Sequence, residues 1–305
     1  MSSGGVRNGA LDGLAMGLLV LLCASWGLQQ VAVKVAAAGI PPVLQAGLRS
    51  VGALMLVWAW TSWRGIRPFA MEGMLTVAVL AGILFGIEFV LLYAGLALTQ
   101  ASRAVVLLYT APFVVALGSH LFVPGERIGR LQWIGLLCAF AGVVLAFADG
   151  LTVPDAAMLA GDAMVLAAAV FWGATTVLIK ATRLTRVGPE RILFHQLLWS
   201  APLMFAVSAL LGEVVEPRLA STREALLGLA YQVVVVASAS YLVWFWLIGR
   251  YSAARLSSFS FLTPLFGTAA GALLLGERIS AAFLLAMALV GAGIYLVNAR
   301  EPRGA

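Results

Sequence analysis

Gly125-Glu126-Arg127-Ile128 and Gly276-Glu277-Arg278-Ile279 are the two stretches that decide how this chain is built. The same four residues return 151 positions later, and the agreement extends beyond them. Trp26-Gly27 with Lys34 recurs 146 positions on as Trp172-Gly173 with Lys180. At an offset of 152, Glu72 matches Glu224, Ala101 matches Ala253 and Pro112 matches Pro264. Self-similarity at a long period marks a duplicated unit. The reading is one unit present twice, over residues 12–148 and 157–298.

Both units are made almost entirely of apolar runs. The 305 residues are 62% hydrophobic and only 10% charged, with a mean hydropathy of +1.02. Soluble domains carry about 25% charged residues, so this chain cannot cover itself with a polar surface. In water it would expose more contiguous apolar area than a monomer tolerates, which excludes a soluble enzyme. Ten runs are long enough to cross roughly 30 Å of hydrocarbon. They fall at 13–36, 43–60, 74–98, 104–122, 131–148, 157–179, 192–212, 225–248, 256–275 and 280–298. The expected fold is an all-α polytopic membrane protein with ten transmembrane helices, five in each unit. The first run is kept as a span, because no small-residue cleavage site interrupts it.

Charge sets the orientation. Twelve arginines fall on one side of the spans (7, 64, 67, 127, 130, 183, 186, 191, 250, 255, 300 and 303) and four on the other (103, 218, 223 and 278). The positive-inside rule then places both termini in the cytoplasm. Because five is odd, the second unit enters the membrane upside down, so the first Gly-Glu-Arg-Ile loop is expected inside and the second outside. Inverted repeats of this kind build carriers whose substrate site lies near the midplane, between the halves. The net charge of +6 comes from scattered single arginines, which is topological bias and no nucleic-acid footprint. Cys23 and Cys138 both sit in apolar runs and read as small buried hydrophobes.

The set of motifs resembles the ten-helix transporters of the drug/metabolite transporter superfamily, specifically the EamA family. The resemblance is carried by Ser25-Trp26-Gly27 through Lys34, Pro41-Pro42 leading to Arg49, Tyr93 to Ala101-Ser102, and Pro112. Gly125-Glu126-Arg127, Gly161-Asp162 with Phe171-Trp172, Pro264 and Gly276-Glu277-Arg278 complete it. It covers residues 12–298 and implies a metabolite carrier in a bacterial inner membrane, often an exporter of amino acids, with aromatic amino acid exporters among its members. It leaves the substrate open, and a carrier of phosphorylated sugars or nucleotide sugars stands as the alternative, as does a facilitative channel.

Superposing the units by their offsets pairs aromatic residues: Trp26 with Trp172, Phe89 with Tyr241, Tyr93 with Phe245, and Tyr109 with Phe261. Phe85, Phe89 and Tyr93 recur every four residues, as do Tyr241 and Phe245, so each set forms one helical stripe. These rings are expected to line a midplane cavity, where flat faces and polar tips suit an aromatic or amphipathic solute or an ammonium. The competing reading is plain helix packing. Trp58, Trp60, Trp63 and Trp133 lie near span ends and read as interface anchors.

Glu88 lies deep in the third span, and its counterpart is Ser240. An ionised carboxylate there must face the bundle interior, find a partner or take up a proton. It reads either as the partner of a substrate ammonium, as a proton-coupling group, or as a structural acid paired with Arg49 or with Gln and Ser side chains. Lys34 and Lys180 are expected to snorkel, and Asp162 to stabilise the first turns of its helix. Pro112 and Pro264 each remove a backbone hydrogen bond and should kink matched helices. Gly135, Gly142, Gly291 and Gly293 read as close-packing sites, within one chain or in a homodimer. His120 and His195 have no partners at metal spacing. No P-loop, G-x-S-x-G or H-E-x-x-H motif occurs, so neither ATP hydrolysis nor an intramembrane enzyme is expected. No cofactor is expected.

Overall fold

A computed structural model describes residues 11–151, 153–182, 184–275 and 282–299. Among them all regular structure is helical, as lipid requires of a chain that must satisfy its own backbone hydrogen bonds. Nine helical stretches are long and apolar enough to cross a membrane. They are α1 (Gly13–Ala36), α2 (Pro42–Trp63), α3 (Leu75–Leu96), α4 (Ala101–Phe122), α5 (Arg130–Gly150), α6 (Ala156–Ala181), α7 (Pro189–Leu210), α8 (Arg223–Ile248) and α9 (Ala253–Leu274). A further apolar helix, α10 (Ala282–Asn298), has 17 residues, about 25 Å at 1.5 Å per residue. The protein is a polytopic membrane protein. The second Gly-Glu-Arg-Ile stretch, with Glu277 and Arg278, lies outside the described residues.

Local sequence explains where the helices start. Asp12 and Asp155 cap α1 and α6, their carboxylates accepting from the amides of Ala15 (2.9 Å) and Met158 (2.8 Å). Pro42 and Pro189 open α2 and α7, where a missing amide proton is harmless. The role expected for Asp162 therefore belongs to Asp155. Asp162 sits two turns further in, ion-paired to Arg103 and accepting from Thr99 at 2.6 Å. It fastens α6 to the α3–α4 turn.

Neighbouring helices pair across the two halves. α1 packs against α8 and α9, while α6 packs against α3 and α4; α2 lies along α7, and α5 along α10. Two of these contacts need glycine. A Cβ on Gly27 would stand 2.7 Å from Phe266 Cβ and the Gly267 amide, and one on Gly173 would stand 2.6 Å from Val114 Cβ. These two glycines are the ones that the 146-residue offset in the sequence pairs. Gly135, Gly142 and Gly293 similarly let α5 and α10 touch, whereas Gly291 meets no other helix within the described residues.

Three spans are irregular at mid-depth. α4 is interrupted between Leu108 and Ala111, immediately before Pro112. α9 passes through a 3-10 turn at Phe259–Phe261 and resumes at Leu262, two residues before Pro264. In α8, Gln232–Ser240 forms a π-helix.

Candidate substrate-binding site

Between these irregular spans lies a cavity of about 240 Å³, walled by α1, α3, α4, α6, α7, α8 and α9. Eight of the nine expected site residues are on its wall: Trp26, Glu88, Phe89, Tyr93, Tyr109, Trp172, Tyr241 and Phe245. The ninth is not. Phe261 has no exposure and packs into the core, 6.3 Å from Phe113 and 6.5 Å from Phe140 between ring centroids. The 3-10 turn at Phe259–Phe261 advances each residue by about 120° where an α-helix gives about 100°, so the alignment with Tyr109 does not carry the side chain to the same surface.

The rings meet edge to face. Trp26 contacts Tyr241 at 6.4 Å and Trp244 at 5.5 Å, and Trp172 contacts Tyr109 at 6.0 Å. Phe85 bridges the halves, 4.9 Å from Phe89 and 5.8 Å from Tyr241. Such pairs contribute about 0.5–1.5 kcal/mol each beyond the area they bury. Trp26 is further fixed by a hydrogen bond from its indole N–H to Ser240 Oγ at 2.8 Å, and Ser240 donates to the Val236 carbonyl at 2.6 Å. The residue matched to Glu88 thus orients the tryptophan of the other half.

Glu88 is 8% exposed, and what remains exposed faces the cavity. Among the described residues no hydrogen bond or ion pair holds its carboxylate, and it is the one charged side chain on the wall. The pairing with Arg49, one of the alternatives open from the sequence, is not made among the described residues. Polar capacity comes also from Gln29 and Gln30 on α1, Thr175 and Thr176 on α6, Gln196 on α7 and Thr263 on α9. Sequence reasoning missed these, and it missed Trp244. Trp244 was legible, since it falls three residues after Tyr241 on the same helical stripe; isolated Gln and Thr in apolar runs gave no comparable pattern.

The wall reaches the α3–α4 junction, where Leu96 and Ala101 line the cavity. Toward the other end of α6 the path stops at a buried network. Lys180 Nζ donates to the carbonyls of Ile248 (2.7 Å) and Tyr251 (2.6 Å) and lies 3.5 Å from Glu126 Oε1. Glu126 also accepts from the Ser252 hydroxyl and the Ala253 amide, both at 3.0 Å. Lys180 is therefore held inside the protein and does not snorkel; Lys34, its counterpart, is exposed. Away from the cavity, His195 Nδ1 accepts from the Trp199 indole and Nε2 lies 3.2 Å from the Pro68 carbonyl. Among the described residues no His, Cys, Asp and Glu cluster could hold a metal.

The model of the EamA-like transporter family matches residues 13–148 and 159–299. The chain belongs to this family. It is 31% identical over 290 residues to a probable amino-acid metabolite efflux pump of Salmonella typhimurium, covering 92% of this chain and 93% of that one. The Escherichia coli protein of the same description is 29% identical over 286 residues, with coverage of 92% and 93%. The uncharacterized transporter YoaV of Bacillus subtilis is 26% identical over 275 residues, with coverage of 89% and 92%. A solved crystal structure shares the fold, with a TM-score of 0.79 at 22% identity over 93% of this chain and 94% of that chain. The protein is a transmembrane transporter whose named relatives are efflux pumps and transporters.

Proposed function

We propose that the protein exports amino acids or related amphipathic and aromatic compounds from a bacterial cytoplasm, by alternating access between two inverted five-helix repeats, residues 12–148 and 157–298. One observation carries this reading: an aromatic cavity with a single charged group on its wall, the unpartnered carboxylate of Glu88. A carboxylate among electron-rich ring faces attracts an ammonium, and flat rings accept an aromatic or aliphatic body. Trp26, Phe89, Tyr93, Tyr109, Trp172, Tyr241 and Phe245 contact the solute in this reading, and the helix breaks before Pro112 and Pro264 supply the hinges.

The helix pairings favour two equivalent units, because each contact of α1 with α8 and α9 has its counterpart in α6 with α3 and α4; five spans per unit then invert the second. With both termini cytoplasmic, as the arginine count favours, the Lys180–Glu126 network closes the cytoplasmic end and the cavity opens outward. Closure at one end favours a carrier over a channel. A wall whose one charge is an acid disfavours sugar phosphates and nucleotide sugars. One chain contains the whole cavity, so a monomer suffices.

The test is a transport screen in reconstituted vesicles with amino acids, purines and sugar phosphates, with and without a pH gradient. Wild-type protein should move aromatic or amphipathic amino acids saturably, and Glu88→Gln should lower that flux at least tenfold while folding normally. Loss of gradient dependence with exchange retained would assign Glu88 to proton coupling; weakened affinity at every pH would assign it to the substrate amine. Preferential flux of sugar phosphates, or wild-type flux in Glu88→Gln, refutes the proposal.

A further inference from the structure

Arg49, on α2, is fully buried, and its Nε and both terminal guanidinium nitrogens have no hydrogen-bond partner among the described residues. A buried charge left without a partner is costly. An arginine carries five donors in a fixed fork that matches a carboxylate. The guanidinium carbon lies 4.2 Å from the centroid of the Phe89 ring, and Phe89 is cavity wall. Glu88 and Arg49 are thus an unpartnered acid and an unpartnered base in one region, held apart. Opposite charges separated this way suit a solute that carries both.

We infer that Arg49 is the second pole of the substrate site: it receives the carboxylate of a zwitterionic amino acid whose ammonium rests on Glu88, and Phe89 is the partition that turns aside to admit it. The inference rests on the amino acid reading of the cavity and adds a requirement for the carboxylate. A rotated Phe89 brings the guanidinium into contact with the cavity without moving the backbone of α2. The solute then supplies the acceptor that the empty protein lacks. Simple aromatic amines reach Glu88 and the rings but leave Arg49 unsatisfied.

Binding of three probes to purified protein, read by quenching of tryptophan fluorescence, tests this: L-phenylalanine, phenethylamine without the carboxylate, and 3-phenylpropionate without the amine. Wild-type protein should prefer L-phenylalanine to phenethylamine by about tenfold or more, the ratio a charge-assisted hydrogen bond supplies. Arg49→Met should abolish that preference and leave phenethylamine binding unchanged. Its ligand-free melting temperature should not fall, since an unpartnered buried charge has been removed. Arg49→Met that keeps the preference, or that loses both ligands and melts lower, assigns Arg49 to structure and overturns the inference. Equal wild-type affinity for L-phenylalanine and phenethylamine overturns it too, while the cavity reading survives. Failure of wild-type protein to bind either amine overturns both.

Discussion

Lys180→Met is the most informative change to the closed end of the cavity, because it keeps the hydrocarbon stem and removes only the ammonium. The losses are two bonds to the Ile248 and Tyr251 carbonyls, at 2.7 and 2.6 Å, and the 3.5 Å pairing with Glu126. Removing one partner of a buried ion pair costs about 3–5 kcal/mol. Glu126 keeps its bonds from Ser252 and Ala253, so the lower end, about 3 kcal/mol, applies. If this energy holds the end shut, its loss moves the open-to-closed ratio about 10²-fold, at 1.4 kcal/mol per factor of ten. The assay uses protein with Cys23 and Cys138 replaced by Ala and one cysteine at Ile179, a cavity residue 1% exposed and adjacent to Lys180. A membrane-impermeant maleimide added to inside-out vesicles should label Ile179→Cys slowly, and faster by up to that 10²-fold factor once Lys180→Met is added. Unchanged labelling in a folded Lys180→Met protein would sink the latch argument. If the acceleration occurs in intact cells and not in inside-out vesicles, the orientation is reversed.

Two other perturbations follow from the packing. Gly27→Ala and Gly173→Ala place a methyl 2.7 and 2.6 Å from the facing helix, so each should cost about 1–3 kcal/mol by overpacking. Thermal denaturation in detergent should show similar losses for both; a neutral result for either would mean that the α1–α9 and α6–α4 contacts are not equivalent. Ser240→Ala removes the acceptor of the Trp26 indole and should weaken transport by about fivefold, the equivalent of a hydrogen bond of about 1 kcal/mol, at normal expression. Full activity in Ser240→Ala would show that Trp26 is placed by its ring contacts alone.

Membrane residence and eight of the residues that line the cavity were legible in the sequence. Hydrocarbon thickness fixes how long an apolar run must be, and a repeat retains the register of the side chains on matched helices. Trp26 and Trp172 could be paired before any fold was known, because each opens a Trp-Gly pair with a lysine eight residues on, Lys34 and Lys180. That logic failed where the helix period itself changes: the 3-10 turn at Phe259–Phe261 rotates Phe261 into the core. Contacts between helices far apart in the chain were also beyond it. The sequence offered Arg49 and Glu88 as a pair and Lys180 as a snorkelling residue. Only the crossing of α2, α3 and α6 with their neighbours leaves Glu88 facing the cavity, Arg49 behind Phe89, and Lys180 against Glu126 and the end of α8. Periodicity determines which face of a helix a residue occupies; which group meets it there depends on how separate helices approach, and a few ångströms decide between an ion pair and an unpartnered charge.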